Sequence, residues 1–528
     1  MDEKAKEREK EKENQERKLE GLRNAGIAGG AYETVQRYGA AAKEHYVAYS
    51  GQDNEAGKTL SKSLKSISKE KINSDYKYQN EHQQAGFSAE VKDTARDNAE
   101  RIIHGDSNRI VRTDDIGRVN DPLYDTVEID ANGNVIDGSG TQMKFVGASQ
   151  SDPTGEGDAA RALSKLQSKQ FEKYLDHDVK IKVPSDQYDK MIQEADGRLE
   201  KLAKQLEKQK ASGNTEAAQK IQKQIDNLLK IKKNLRKSSV SMWEAQLARK
   251  CPGVSTAMDV VKVGHRAGVE ALKSGVVIGG SLSIVRNIVA LCKGEIEPEE
   301  AVANVAKDTA SSAGMAYVTG ASGAAIKGAM QNAKSETVRA LSKTNVPAII
   351  VSVSVQTAKV MKRYLEGEID GVECMEQLGQ DGVGMISSSM FAMVGQAVIP
   401  VPVLGGLIGG MVGYAFASAN YGVLMDALKD EKLAHEQRIQ IEQACEEHIK
   451  LIREYRAEME KLISEYLSES MDVFRESFSG IKNALAIDDV DWFIDSANSI
   501  TEQFGGKSSF SNMDEFDSMM LSGSTFKL

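Results

Sequence analysis

Residues 125–146 read DTVEIDANGNVIDGSGTQMKFV, and here the chain departs from helical patterning. Thr126-Val-Glu-Ile-Asp130 alternates apolar and polar side chains, the period of a half-buried strand. Asn132-Gly133 follows, and a two-residue type I′ turn needs positive φ at both central positions, which this dipeptide tolerates. Val135-Ile136 and Gln142-Met-Lys-Phe-Val146 supply the return side. With that turn, Asp130 faces Val135, Asp125 faces Gly140 and Leu123 faces Gln142. Period 2 then places Asp125, Gln142 and Lys144 on one face, with Asp130 near the turn on the other. A bulge in Asp137-Gly-Ser-Gly140 that shifts the register by one would exchange Asp125 for Asp130.

Working outward, Arg109-Ile-Val-Arg-Thr113 is a second strand candidate. Upstream of it, Phe87 to His104 reads as a helix, with Ser88 as its cap and Ala89, Val91, Ala95, Ala99 and Ile102 sharing a face. Downstream, a helix is expected from about Asp158 to Tyr174, then a strand Val179-Lys-Ile-Lys-Val183 ended by Pro184. Helix, strands, hairpin, helix and strand make a small α/β module over 87–190.

Gln142-Met-Lys144 has a further reading. An acidic-or-Gln, any-residue, Lys triplet at the end of a strand, preceded by a strand with an Asp and followed by a helix, resembles the restriction-endonuclease-like PD-(D/E)XK superfamily. The resemblance implies that Asp125 and Gln142 hold Mg²⁺ and that Lys144 stabilises charge at the attacking water or phosphate. Three roles then stand open: an active nuclease, a nuclease-like fold that only binds, and an unrelated α/β module. No zinc-protease HExxH, P-loop, dinucleotide fingerprint or GxSxG elbow occurs anywhere in the chain.

On either side of the module the sequence reads as helix. Residues 1–86 are a charged and polar region, Gly51 to Asn80 being loosely ordered in this reading. Gln187 to Lys210 and Thr215 to Lys237 form an antiparallel coiled-coil hairpin, with Ala211-Ser-Gly-Asn214 as its turn and Thr215 as a cap. The hairpin ends in KIKKNLRK, Lys230 to Lys237, a candidate contact for nucleic acid or another anion. Pro252-Gly253 marks a change to Ala-, Val- and Gly-rich sequence. In the region that follows, 251–430, Gly294-Glu-Ile296 recurs as Gly367-Glu-Ile369 with flanks at the same offset. A tandem duplication of a Gly/Ala-rich helical hairpin is the reading. Its first copy carries a charge-free stretch, Thr309 to Ile326, near the lower edge of membrane-spanning length.

The second copy contains residues 382–425, about 44 residues without a charge or a His, roughly twice the length of a bilayer span. Pro400 and Pro402 break it into two helices, and Gly405, Gly406, Gly409, Gly410 and Gly413 let helices approach closely. A glycine zipper of this kind resembles bacterial membrane-active, toxin-like proteins. The implied role is a toxin- or defence-like effector, of the antiviral kind, that meets membrane lipid through 382–425; the alternative reading is a soluble structural or interaction protein in which these helices form a tightly packed core. From 431 to 528 a long charged helix and an acidic tail follow. Its seam over 431–469 suits a partner helix or a second copy of the chain.

The expected architecture is mainly α and multi-domain, with the α/β module, the coiled-coil hairpin and the duplicated helical region as parts. A hairpin with arms of about 20 residues would hold the outer units up to roughly 30 Å apart. The formal net charge of −10 excludes a chain-wide nucleic-acid footprint, so any such contact must be local. The 4 cysteines form no CxxC pair and read as reduced thiols. The mixed-charge start has no apolar core and is no signal peptide, so the expected location is cytoplasmic, with inner-membrane association through the apolar hairpin.

Overall fold

The computed structural model describes residues 26–147 and 158–351 apart from 335 and 349, several positions between 454 and 468, and 470–521 apart from 488, 504–507 and 509. These residues are mainly helical, with one five-stranded sheet. Residues 382–425, with Pro400, Pro402 and the five zipper glycines, lie outside them, as do most of 431–469. Among the described residues no helix is long and apolar enough to cross a membrane.

The helical core is built on α1 (Tyr32–Ser50), which ends at Gly51 with φ +77°. The long α3 (Lys77–Ile103) packs beside it, following the single turn α2 (Leu64–Ile67). Tyr38, Ala42 and Tyr46 of α1 share one buried cluster with Ala99 and Ile103 of α3, Val260 and Ala267, and Ala324 and Ala329. Small residues let the backbones close up there, since a Cβ on Gly328 would sit 2.8 Å from the Gly39 carbonyl oxygen.

The sheet runs β3 (Arg109–Arg112), β4 (Thr126–Ile129), β5 (Thr141–Met143), β6 (Lys180–Val183) and β7 (Leu235–Lys237), in that spatial order; a separate two-stranded hairpin, β1 (Gln52–Asp53) and β2 (Lys58–Thr59), precedes it. β3, β4 and β5 are antiparallel neighbours, while β5–β6 and β6–β7 are parallel. A parallel step needs a crossover. Between β5 and β6 it is α4 (Ala159–Leu166), a 3-10 turn and α5 (Glu172–Asp176). Between β6 and β7 it is the antiparallel pair α6 (Ser185–Ala211) and α7 (Thr215–Asn234). Leu163, Leu166, Tyr174, Ile181, Val183, Met191, Leu228 and Leu235 bury one face of the sheet beneath these helices. On the other face, Met143 packs against Ala85 and Ala89 of α3.

Several expectations change. The helix expected from Phe87 begins at Lys77, so Ser88 is a buried interior residue rather than a cap, and a boundary at 86/87 would cut α3. Residues 51–80 are folded: Ser63 and Ser66 form a capping box, and Leu64 and Ile67 are buried. Asn214, not Thr215, caps α7, its side-chain oxygen accepting from the Ala217 N–H at 3.1 Å. The end of the basic run, Leu235-Arg-Lys237, leaves the helix to pair with β6. Three of the run's cations have acidic partners: Lys233 lies 3.0 Å from Asp178, Lys237 2.7 Å from Asp189, and Lys232 pairs with Asp196.

Pro252 opens α9 (Pro252–Cys292) at its first turn, where a missing N–H costs nothing. α8 (Met242–Lys250) leads into it, and α9 packs along α10 (Pro298–Gln331) as the expected first hairpin of the Gly/Ala-rich region. The charge-free stretch of α10 is covered by protein: Thr309, Ala313, Ala316, Gly320, Gly323 and Ala324 are all buried. Nor does the α6–α7 hairpin hold two units apart. Lys92 of α3 is buried against Asp259 of α9, and Arg96 reaches both Asp259 and Glu244 of α8. Beyond residue 470, Phe474, Phe478 and Ile481 fill the end of the α9–α10 pair with Ile284, Leu291, Val302 and Val305. There α12 (Val490–Gln503) follows, the short α11 (Glu336–Ser342) having preceded these segments. In the tail, α13 (Met513–Leu521) docks back on α12, with the Met513 N–H donating to Asp491 at 2.7 Å.

Candidate active site

The register of β4 and β5 decides which side chains meet. Near the turn, Ile129 bridges Val135, but Thr126 pairs with Thr141. Residues 137–140 therefore insert extra chain on the return side, and Gly138 has φ +71°. Asp125, not Leu123, comes to lie opposite Gln142. The slip from the expected register is by an even number at this point, so Asp125 keeps the face of Gln142 and Lys144. Gly140 has no room for a side chain: a Cβ there would overlap the ring of Tyr124.

Gln142 Nε2 donates to Asp125 Oδ2, and the backbone N–H of Met143 donates to the same oxygen at 2.7 Å. Gln142 is buried, and its other amide atom, Oε1, accepts no hydrogen bond. A buried acceptor without a donor is costly and marks a place where a missing partner would fit. Lys144 follows at the strand end, where its N–H bonds the Lys182 carbonyl at 2.8 Å. Its Nζ stands 5.2 Å from the centre of the Tyr174 ring. Asp130 is exposed-side chemistry of a different kind: it caps its own turn, accepting from Asn132 and Asn134 N–H groups at 2.9 and 2.8 Å.

A fourth group, Glu90, comes from α3. Burial first, and then the charge of Asp125, push its carboxyl up to about 8, against the Arg112 and Lys144 cations. Burial likewise lifts Asp125 above the usual carboxylate range, although Lys144 and the two donors oppose it. Lys144 is lowered by burial, with Asp125 and Glu90 pulling the other way. Asp114, just after β3, adds negative potential at both acids. The site thus gathers partly desolvated carboxyl groups, Glu90 holding its proton at neutral pH, with one neighbouring ammonium.

Sequence reasoning named Asp125, Gln142 and Lys144, and the fold gathers all three. It missed Glu90, Asp114 and Tyr174. Glu90 looks like any exposed helix acid, and no local signal sets it apart; only packing of α3 on the sheet brings it to Asp125.

Two carboxylates and an unpartnered amide oxygen are hard oxygen donors, the set Mg²⁺ takes. Among the described residues no three His, Cys, Asp or Glu side chains converge as a metal cluster. A cation here would therefore be held by the two acids, the Gln142 oxygen and waters, and Mg²⁺ commonly keeps several waters. The donor set fits that ion.

No protein-family model matches the chain, and neither does any curated protein or solved structure.

Proposed function

We propose that the α/β module is a divalent-metal-dependent nuclease whose site is Asp125, Glu90, Gln142 and Lys144. The observation that carries this reading is the buried Gln142 Oε1 without a donor, on the side chain that donates to Asp125; burial holds the Asp125 carboxyl above its usual range, and burial and then the Asp125 charge do the same to Glu90. The order of elements around the site also accords with the resemblance drawn from the Gln142-Met-Lys144 triplet.

Asp125, Glu90 and Gln142 Oε1 would hold Mg²⁺ or Mn²⁺, which when bound supplies a water of lowered pKa and a sink for charge building on the phosphate. Asp125 is oriented by two donors, so its second oxygen is free to face the cation. Lys144 presents its ammonium beside the acids, where it can neutralise a non-bridging phosphate oxygen or the attacking water. The Tyr174 ring limits its positions through a cation–π contact. Gln142 is buried and the three ionisable groups are half-buried, which strengthens these charge interactions relative to water.

The test is cleavage of end-labelled single- and double-stranded DNA and RNA by the full chain with Mg²⁺ or Mn²⁺. Cleavage is expected to need the metal and to fall by about 100-fold or more in Asp125→Asn and in Lys144→Ala. Undiminished cleavage in correctly folded Lys144→Ala would remove the assignment.

A further inference from the structure

The crossover that covers the site, α4–α5, carries basic residues at every fourth position: Arg161, Lys165, Lys169 and Lys173. All four are exposed. Between Arg161 and Phe171 the sequence has no acid. Among the described residues none of the four side chains forms an ion pair, in contrast to Lys232, Lys233 and Lys237, each of which has an Asp. The opposite side of the same segment is apolar and anchored: Ala162, Leu163, Leu166, Phe171 and Tyr174 are buried against the sheet. The cations are therefore fixed outward by the packing of their neighbours.

The track also leads to the site. Lys173 Nζ lies 4.9 Å from the centre of the Tyr174 ring, and Lys144 Nζ lies 5.2 Å from the same centre. One aromatic ring thus joins the last exposed cation to the ammonium beside Asp125. In a chain of net charge −10 such a run is a local exception that attracts an anionic polymer.

We infer that Arg161, Lys165, Lys169 and Lys173 form the docking track for the phosphate backbone of a nucleic-acid strand, delivering it to Lys144 and Asp125. The inference rests on the nuclease reading for its direction, not for the binding itself. Arg161 and Lys165 are one helical turn apart on α4, about 6 Å along its axis, against about 3.4 Å per phosphate along one strand of a duplex, so each can meet its own phosphate. Lys169 and Lys173 follow on the 3-10 turn and on α5. Such contacts carry no sequence information, so the substrate class is set by backbone and not by base.

The experiment measures binding of fluorescently labelled 20-mer single-stranded DNA, single-stranded RNA and duplex DNA to the full chain in EDTA, from 50 to 300 mM NaCl. Four phosphate contacts predict a log–log salt slope of about −3 to −4 for the preferred form. Lys165→Ala and Lys169→Ala should each weaken binding about fivefold near 0.15 M salt and make the slope shallower by about one. The Lys165→Glu/Lys169→Glu double variant should lose at least 25-fold, while Lys230→Glu should be neutral; circular dichroism checks that all remain folded. Unchanged binding in the double variant overturns the track, as does binding to vesicles of anionic lipid with none to any oligonucleotide. Binding through the track without metal-dependent cleavage overturns the nuclease reading alone. Cleavage with an unchanged KM in the double variant overturns the track alone.

Discussion

Gln142 donates its amide N–H to Asp125 across the β4–β5 pair, leaving its amide oxygen without a partner. A Gln here satisfies Asp125 in the absence of a cation, which a Glu could not do.

Gln142→Glu sets a carboxylate against Asp125 and removes its donor. Metal-free stability should fall by about 1–3 kcal/mol. The rise in Tm on adding Mg²⁺ or Mn²⁺ should then be larger than in the parent, because an added negative charge strengthens cation binding and binding to the native state alone stabilises it. Thermal melts with and without metal read both effects. No metal-dependent shift in either protein would argue against a cation at this position.

Glu90 sets a pH dependence of defined sign. Its folded-state pKa is raised, to about 8, so the native state keeps a proton that the unfolded state releases near the ordinary Glu value. Stability from this group is present at low pH and falls as pH rises towards about 8, by at most about 1.4 kcal/mol per pH unit. Glu90→Gln should flatten that fall in urea titrations between pH 5 and pH 8. Cation binding must expel the same proton, so metal affinity should climb over this window and do so less in the variant.

His45 acts at the acid side. It is buried 3.9 Å from Asp259, and burial pulls its pKa down to about 4. A lowered folded value means that its contribution is whole above about 6.5 and is lost as pH falls through 4, again by at most about 1.4 kcal/mol per unit. Asp259 loses its own contribution lower still: burial opposes its charge, but Arg96 and Lys92 hold it well below the carboxylate range. A His45→Gln variant should unfold with a shallower acid limb between pH 6.5 and pH 4.

Removing Asp259 should be severe. Lys92 and Arg96 would be left as buried charges, and Asp259→Ala is expected to cost about 3–5 kcal/mol in chemical denaturation. Since this pair ties α3 to α9, the fragments 1–250 and 251–528 should not fold separately, and limited proteolysis should find no stable fragment ending near Cys251. A folded 1–250 fragment would restore the picture of independent units.

Glycines in α10 should split into two kinds. A Cβ on Gly320 would lie 2.7 Å from the Ala267 carbonyl oxygen of α9, so Gly320→Ala should destabilise by about 1–3 kcal/mol despite the better helix propensity of Ala. Gly314 has open space around it, and Gly314→Ala should stabilise by up to about 1 kcal/mol. Melting curves of the two variants should move in opposite directions.

The local sequence determined the strands near 109–112, 126–129 and 180–183, the helical hairpin after them, and the shared face of Asp125, Gln142 and Lys144. Those features depend on period and turn chemistry within a few residues, and an even-numbered slip in the bulged hairpin left the face unchanged. Tertiary structure alone decided the rest. Leu235-Arg-Lys237 became a strand because the exposed edge of β6 offered it hydrogen bonds that a further helical turn could not better. Glu90 joined the site because α3 packs on the sheet, and α3 was locked to α9 because buried charge must find opposite charge wherever in the chain it lies. Lys92 finds it in Asp259, far along the sequence, and no local pattern encodes that meeting.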